Sequence, residues 1–246
     1  MRISIELVPR GVEHLQAELQ LMKSKFPSIN TVNIPDLMRL DIRSWEGTAI
    51  SKTFYDNCIP HIRAIDFDLS KTIPITEYLN LHHISEILVV TGDHPQDVNR
   101  KVYPVTSTDF IKKIKAECPN IKVYAAIDPY RNSVKQEYEY VQRKLDAGTD
   151  GFFTQPFFDI RLMEVYMELL EGSDIFWGVS PVTSLRSRNY WEVKNNAIFP
   201  KSFEPTLQWN IDFARKALDF SHGTNSNIYF MPIKIDLETY LEGIFR

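Results

Sequence analysis

Lys144-Leu145-Asp146-Ala147-Gly148-Thr149-Asp150-Gly151-Phe152-Phe153-Thr154-Gln155-Pro156-Phe157-Phe158-Asp159 reads as the end of an amphipathic helix, a glycine stop at Gly148, and a buried apolar strand that finishes on an amide, Gln155. A polar side chain at the last position of a buried strand needs a reason. In a barrel of parallel strands that position faces the ligand, so Gln155 is either a hydrogen-bonding group for a substrate or a satisfied core amide.

Outward from this segment, short apolar runs alternate with helical patterns over the whole chain, the signature of repeated strand–helix units and a parallel sheet. The runs predict strands at Ile3 to Leu7, Thr31 to Ile34, Ile62 to Ile65, Ile87 to Val90, Val123 to Ile127, Gly151 to Thr154, Ile175 to Val179 and Ile228 to Met231. Helices are predicted at Val12 to Phe26, Ser107 to Glu117, Ser133 to Ala147, Ile160 to Leu170 and Leu207 to Phe220. Eight strands and 246 residues match a (β/α)8 TIM barrel of the α/β class, for which roughly 250 residues is typical. The stretch between the seventh and eighth strands, with Pro181, Pro200 and Pro205, is longer than one crossover needs and predicts a short extra helix over the active-site face. No linker or repeat interrupts the pattern, so residues 1–246 are expected to form a single domain.

A hydrophobic content of 43% supports a sizeable core, and 28 basic against 32 acidic side chains give a net charge of −4. That balance argues against nucleic acid as a partner, while leaving room for local basic pockets. Cys58 and Cys118 stand far apart without metal-ligand spacing, as in a cytoplasmic chain with reduced thiols. No segment approaches the roughly 18 apolar residues of a membrane span, so a soluble cytoplasmic protein without membrane association is expected. Dinucleotide GxGxxG, P-loop, GxSxG and HExxH motifs are all absent.

Polar groups at or just beyond the apolar runs form a constellation: Glu6, Asp36, His61 with Asp66, Asp93, Asp128, Gln155, Thr183 and Lys234. In a barrel most of these converge on one face, and carboxylates, an amide and a lysine together form a catalytic pattern more than a packing pattern. Glu6 lies inside an apolar run, where desolvation raises a carboxyl pKa and suits a general acid. Asp93, in Thr91-Gly92-Asp93-His94-Pro95, is equally a turn residue. His61 follows Pro60 into a strand, where a lone histidine is more often a satisfied structural group than a base, and His82 and His83 read as a helix end. Asp36, Arg39, Asp41 and Arg43 form either an ion-pair network or a ligand site. Arg131, Lys135, Arg143 and Lys144 either neutralise phosphates or form a solvated basic face.

These residues carry a family resemblance. Ile3-Ser4-Ile5-Glu6-Leu7-Val8-Pro9 resembles the first strand of methylenetetrahydrofolate reductases, where Phe-Glu-Phe-Phe-Pro-Pro is usual. Pro60-His61-Ile62 resembles their Pro-His-Leu-Thr strand, and Thr91-Gly92-Asp93-His94-Pro95 their Arg-Gly-Asp-x-Pro loop. Lys144 to Asp159 resembles Lys-x-Asp-Ala-Gly-Ala-x-x-x-x-Thr-Gln-x-Phe-Phe-Asp, and Gly178-Val179-Ser180-Pro181 their Gly-Ile-x-Pro, while Tyr229-Phe230 fits the last strand.

The resemblance implies a barrel holding FAD that reduces 5,10-methylenetetrahydrofolate to 5-methyltetrahydrofolate, with NADH or NADPH as electron donor. Glu6 then matches the general acid that assists opening of the folate's five-membered ring, and Asp93 the aspartate near flavin and pterin. Gln155 matches the pterin-binding amide; Thr183 and Lys234, from their positions after the seventh and eighth strands alone, are expected as further substrate contacts. Arg143 and Lys144 match positions on the FAD-binding helix, and His61, Thr91, Gly92, Asp93, Asp128 and Arg131 are expected beside them on the cofactor side. A tetrahydrofolate derivative is the implied partner, with room for a homo-oligomer or an electron-donor protein.

The departures fall mainly on the flavin side. A Thr-Tyr-Gly-Ala-Gly-Gly-type loop is replaced by Asn33-Ile34-Pro35-Asp36-Leu37, the arginine before Gly-Asp by Thr91, and Tyr-Pro-Glu-x-His by Ile127-Asp128-Pro129-Tyr130-Arg131. The phenylalanine beyond Gly-Ile-x-Pro is Leu185. These changes keep two alternatives open: a folate-dependent reductase or methyl-transfer enzyme that lacks FAD or needs a partner protein, and a non-catalytic folate-binding subunit.

Overall fold

The computed structural model of the chain describes residues 1–93 and 101–246; His94 and Pro95 of the turn motif lie outside the described residues. Eight parallel strands close on themselves in sequence order: β1 (Ile3–Glu6), β2 (Thr31–Ile34), β3 (Asn57–Arg63), β4 (Glu86–Val90), β5 (Lys122–Ile127), β6 (Gly151–Pro156), β7 (Asp174–Val179) and β8 (Asn227–Phe230). β1 pairs with both β2 and β8, which closes the sheet and removes its edges. Around the barrel lie α1 (Val12–Lys25), α2 (Ser44–Ser51), α3 (Ile75–Leu81), α4 (Ser107–Glu117), α5 (Val134–Asp146), α6 (Ile160–Leu169), α7 (Leu185–Asn195), α8 (Leu207–Gly223) and α9 (Leu237–Phe245).

Alternation along the strands builds two cores. Phe152, Ile175, Trp177, Ile228 and Phe230 point outward against the helices, while Ile59, Leu88, Tyr124, Phe153, Phe176, Tyr229 and Met231 fill the barrel. Burial on both faces is why the strands read as nearly continuous apolar runs. At the N-terminal end a polar plug closes the barrel: the Arg2 guanidinium donates to both Glu86 carboxylate oxygens at 2.9 and 2.7 Å and to the Tyr124 hydroxyl at 3.1 Å. The C-terminal end opens into a cavity, helped by the small side chain of Ala126 on its wall.

Side-chain caps start several of the helices. Thr106 and Asp109 form a reciprocal capping box on α4, and Ser133 and Gln136 do the same on α5. Gly148, after α5, has φ +99° and supplies the left-handed stop expected there.

The third strand needs correcting: it runs from Asn57 to Arg63, and Ala64–Asp66 is a 3-10 turn. Pro60 suggests a boundary in sequence, yet it pairs with the last residue of β2, Ile34, near the end of that ladder. β6 likewise continues through Pro156. The register between β6 and β7 shifts between Phe153 and Pro156, where the Gly178 amide donates to the Thr154 hydroxyl at 2.8 Å. Gln155 lies within this irregular stretch, two residues beyond the inward-facing Phe153.

Candidate active site

The mouth of the barrel encloses a cavity of about 860 Å³. On its wall the Glu6 carboxylate, at the end of β1, accepts a hydrogen bond from the Tyr229 hydroxyl of β8. Strand pairing brings them together, because Ser4 is opposite Tyr229 in the β1–β8 ladder. Glu6 lines the cavity from a largely enclosed position, and this burial pushes its carboxyl up to about 7 although the Tyr229 hydrogen bond pulls the other way. Burial and then the Glu6 charge hold the Tyr229 hydroxyl well above its ordinary value, so it remains a donor.

His61 of β3 packs edge-on against Tyr229 with ring centroids 6.3 Å apart. Burial lowers its pKa to about 4 despite the opposing pull of Asp36, and its Nε2 is buried without a partner among the described residues. It is therefore a neutral ring with an unused polar atom. Gln155 is exposed and lines the cavity, and its amide has no hydrogen-bond partner among the described residues. That observation separates the two sequence-level readings: Gln155 is not a satisfied core amide.

The loops after β2, β3 and β4 carry a chain of charges. Asp36 accepts from Arg43 at 2.9 and 2.6 Å, Arg43 also donates to Asp66 at 2.9 Å, and Arg63 donates to Asp66 at 3.3 Å and to the Asp93 carbonyl at 2.5 Å. Asp36 and Arg43 thus take the ion-pair reading, while Arg39 lies on the cavity wall.

The β5 side is built around Lys144, which is 3% exposed. Its ammonium donates to the Ala126 carbonyl at 2.6 Å, lies 3.7 Å from Glu137 and sits 3.8 Å from the centroid of the Tyr140 ring. Desolvation lowers its pKa to about 8, opposed by Glu137. Glu137 also accepts from Asn132 at 3.1 Å. Asp128 is raised by burial and caps the Tyr130 amide at 3.0 Å, with the exposed Arg131 guanidinium 3.8 Å from its carboxylate. Trp191 of α7 completes the wall, so the extra helix foreseen between β7 and β8 does reach the mouth.

A sequence model described as methylenetetrahydrofolate reductase matches residues 8–218. The chain belongs to this family. Two curated relatives, both 5,10-methylenetetrahydrofolate reductases, come from Buchnera aphidicola. That of subspecies Schizaphis graminum (strain Sg) is 23% identical over 150 residues, 58% of this chain and 50% of the relative. That of subspecies Baizongia pistaciae (strain Bp) is 23% identical over 181 residues, 72% of this chain and 52% of the relative. The chain therefore spans about half the length of the curated relatives it matches.

Among solved structures, an uncharacterized protein from Clostridium thermocellum that binds two copies of 5-methyl-5,6,7,8-tetrahydrofolic acid superposes with a TM-score of 0.66. It is 12% identical, and the match covers 99% of this chain and 92% of that one. A 2,3-dimethylmalate lyase superposes with a TM-score of 0.60 at 10% identity, covering 99% and 78%. At such identities both likenesses show the barrel alone. Glu6 and Tyr229 lie just outside the family match, so their pairing comes from the structure.

Of the residues singled out in sequence, Glu6, His61, Thr91, Gly92, Asp93, Asp128, Arg131, Lys144 and Gln155 share the cavity. Arg143, Thr183 and Lys234 do not line it. Arg143 is exposed with its guanidinium 5.0 Å from the centroid of the Tyr140 ring, Thr183 is exposed just before α7, and Lys234 is exposed with φ +53°.

Glu137, Arg63, Tyr229 and Trp191 escaped functional assignment in sequence. Their signals were faint: Glu137 stands two turns before Lys144 on one helix face, and Arg63 and Tyr229 obey the inward alternation of their strands.

Proposed function

We propose that this protein interconverts 5,10-methylenetetrahydrofolate and 5-methyltetrahydrofolate, in the reductive sense as a flavin-dependent methylenetetrahydrofolate reductase with Glu6 as general acid. One observation carries the reading: a carboxyl held near pKa 7 opens onto the same cavity as the unpartnered Gln155 amide and the Asp93 loop. Family membership and the folate bound by the Clostridium thermocellum neighbour support a folate as the ligand.

The residues present fit a flavin. Cavities for cofactors run to roughly 1,000 Å³, and the wall offers an unpartnered buried nitrogen on His61 together with the cations Arg131 and Lys144. His61, Thr91, Gly92 and Asp93 would hold the ring system, and Asp128, Arg131 and Lys144 the ribose and phosphates. FAD, when bound, supplies the hydride, with NADH or NADPH as its source of electrons. The chain's own work is orientation and proton placement. Gln155 hydrogen-bonds the pterin edge, and the neutral form of Glu6 delivers a proton to the bridging nitrogen that leaves the one-carbon unit. The carbon–nitrogen bond breaks and the five-membered ring opens to an iminium, whose carbon would become the methyl group on receiving the hydride that a bound flavin would supply. Glu6 is left as a carboxylate facing the Tyr229 hydroxyl.

Replacing Glu6 by Gln tests this directly. Turnover should fall by at least roughly a hundredfold, the scale of general acid catalysis, while folate affinity survives. Full activity in that variant would remove Glu6 from the chemistry.

A second reading is favoured by the β5 side, where Lys144 is held by Ala126 and Glu137 and Arg131 lies beside Asp128. With its cations partly engaged, this wall suits an enzyme that takes electrons from a partner protein. Purified protein that stays colourless after addition of FAD, yet binds folate, would select this reading over the first.

A further inference from the structure

We propose that Arg63 is the positioning residue for Asp93, and that the ion-pair chain Asp36–Arg43–Asp66–Arg63 exists to fix its guanidinium under the Asp93 turn. This rests on the function proposed for Asp93. Arg63 is 6% exposed, and its guanidinium bridges two loops: it donates to Asp66 at 3.3 Å and to the Asp93 carbonyl at 2.5 Å. Gly92, between the end of β4 and Asp93, has φ +91°, and a Cβ there would come within 3.1 Å of the Arg63 Cζ and 3.2 Å of its Nη2. The turn therefore lies directly on the guanidinium plane. Only a glycine allows both that φ and that approach.

The Asp93 carboxylate itself has no hydrogen-bond partner among the described residues, so its placement depends on the backbone that carries it. The Thr91 carbonyl accepts from the Ile65 amide at 3.2 Å, which ties the same turn to the end of β3. A planar fork holds two acceptors in fixed directions, which a lysine ammonium does not reproduce. The alternating chain keeps that fork in place from the far side. Arg43 is clamped by Asp36 and Asp66 and covered by Trp45, whose ring centroid is 4.4 Å from its Cζ.

The test uses the whole chain with Arg63→Lys, Arg63→Gln, Asp93→Asn and the double variant Arg63→Lys/Asp93→Asn. Amide hydrogen exchange at Thr91 to Asp93 reports the position of the turn, and kcat and KM with methylenetetrahydrofolate report its consequence. Arg63→Lys should speed exchange at those amides and lower kcat roughly tenfold to a hundredfold, the scale of a misplaced catalytic group, with a smaller change in KM. Because Arg63 acts through Asp93, the double variant should be no slower than Asp93→Asn alone.

Multiplicative losses in the double variant, or unchanged exchange at the turn, would overturn the proposal. If Asp93→Asn turns over normally while Arg63→Lys still frees the turn, the role assigned to Asp93 fails and the clamp stands as a structural fact. Asp66→Asn loosens the same guanidinium without removing it. It should give the same pattern at lower amplitude, and it decides the matter if the Arg63 variants do not fold.

Discussion

Glu6 keeps its proton to about pH 7 because burial disfavours its charge, so the cavity contains an acid at the pH where most carboxylates are bases. The folded state binds that proton more tightly than the unfolded chain. The linked stability is therefore fully present below the ordinary carboxyl value of 4.5 and is lost as pH rises through about 7. Glu6→Gln removes the loss. Thermal or urea unfolding should find the variant equal to the natural protein near pH 4 and more stable by about 3 kcal/mol at pH 8, the order expected for a shift of this size. In the reductive direction kcat/KM should decline above about pH 7 as Glu6 ionises. Tyr229→Phe shifts that limb further up, by roughly one pH unit, because the lost hydrogen bond favoured the carboxylate. A pH–rate profile of the variant that coincides with the natural one would separate Tyr229 from the acid.

Among the elements, β6 and β7 meet in an irregular junction that contains Gln155. Gly178 allows it: a Cβ there would lie 2.4 Å from the Thr154 carbonyl oxygen and 2.7 Å from the Met231 Cε. Since backbone cannot give way cheaply, Gly178→Ala should destabilise the protein by about 3 kcal/mol in urea unfolding and weaken folate binding with it. α7 contributes Trp191, which alone among the four tryptophans lies on the cavity wall. Ligand titration should change tryptophan emission in the natural protein and leave it nearly unchanged in Trp191→Phe. The strands other than β3, buried on both faces, and the capped helices α4, α5 and α8 are legible because period and end signals agree. α2 and α9 are not foretold by any periodic pattern, and α3 only by its end at His82 and His83. Two of these, α2 and α3, are only 8 and 7 residues long, and so short a segment shows too little of the helical period to be read.

At the scale of the molecule, a polar plug closes the N-terminal end of the barrel and the C-terminal end carries the cavity of the proposed chemistry, the end where active sites lie in this architecture. The Arg2–Glu86 pair at the N-terminal end is partly exposed, with side-chain exposures of 22% and 16%, so Arg2→Met should cost about 1–3 kcal/mol of stability. The pH–rate profile governed by Glu6 should be unaffected, because a closed barrel separates the two sites. Sequence by itself determined the repeated unit, the closed count of eight strands and the placement of Glu6, Asp93 and Gln155 at strand ends, since hydrophobic period and turn chemistry are local properties. Tertiary structure alone decided which distant groups meet: Tyr229 on Glu6, Glu137 with Lys144 against Ala126, and Arg63 under Asp93. Those contacts depend on barrel closure and strand register, which bring residues as far apart as 6 and 229 within reach of one proton.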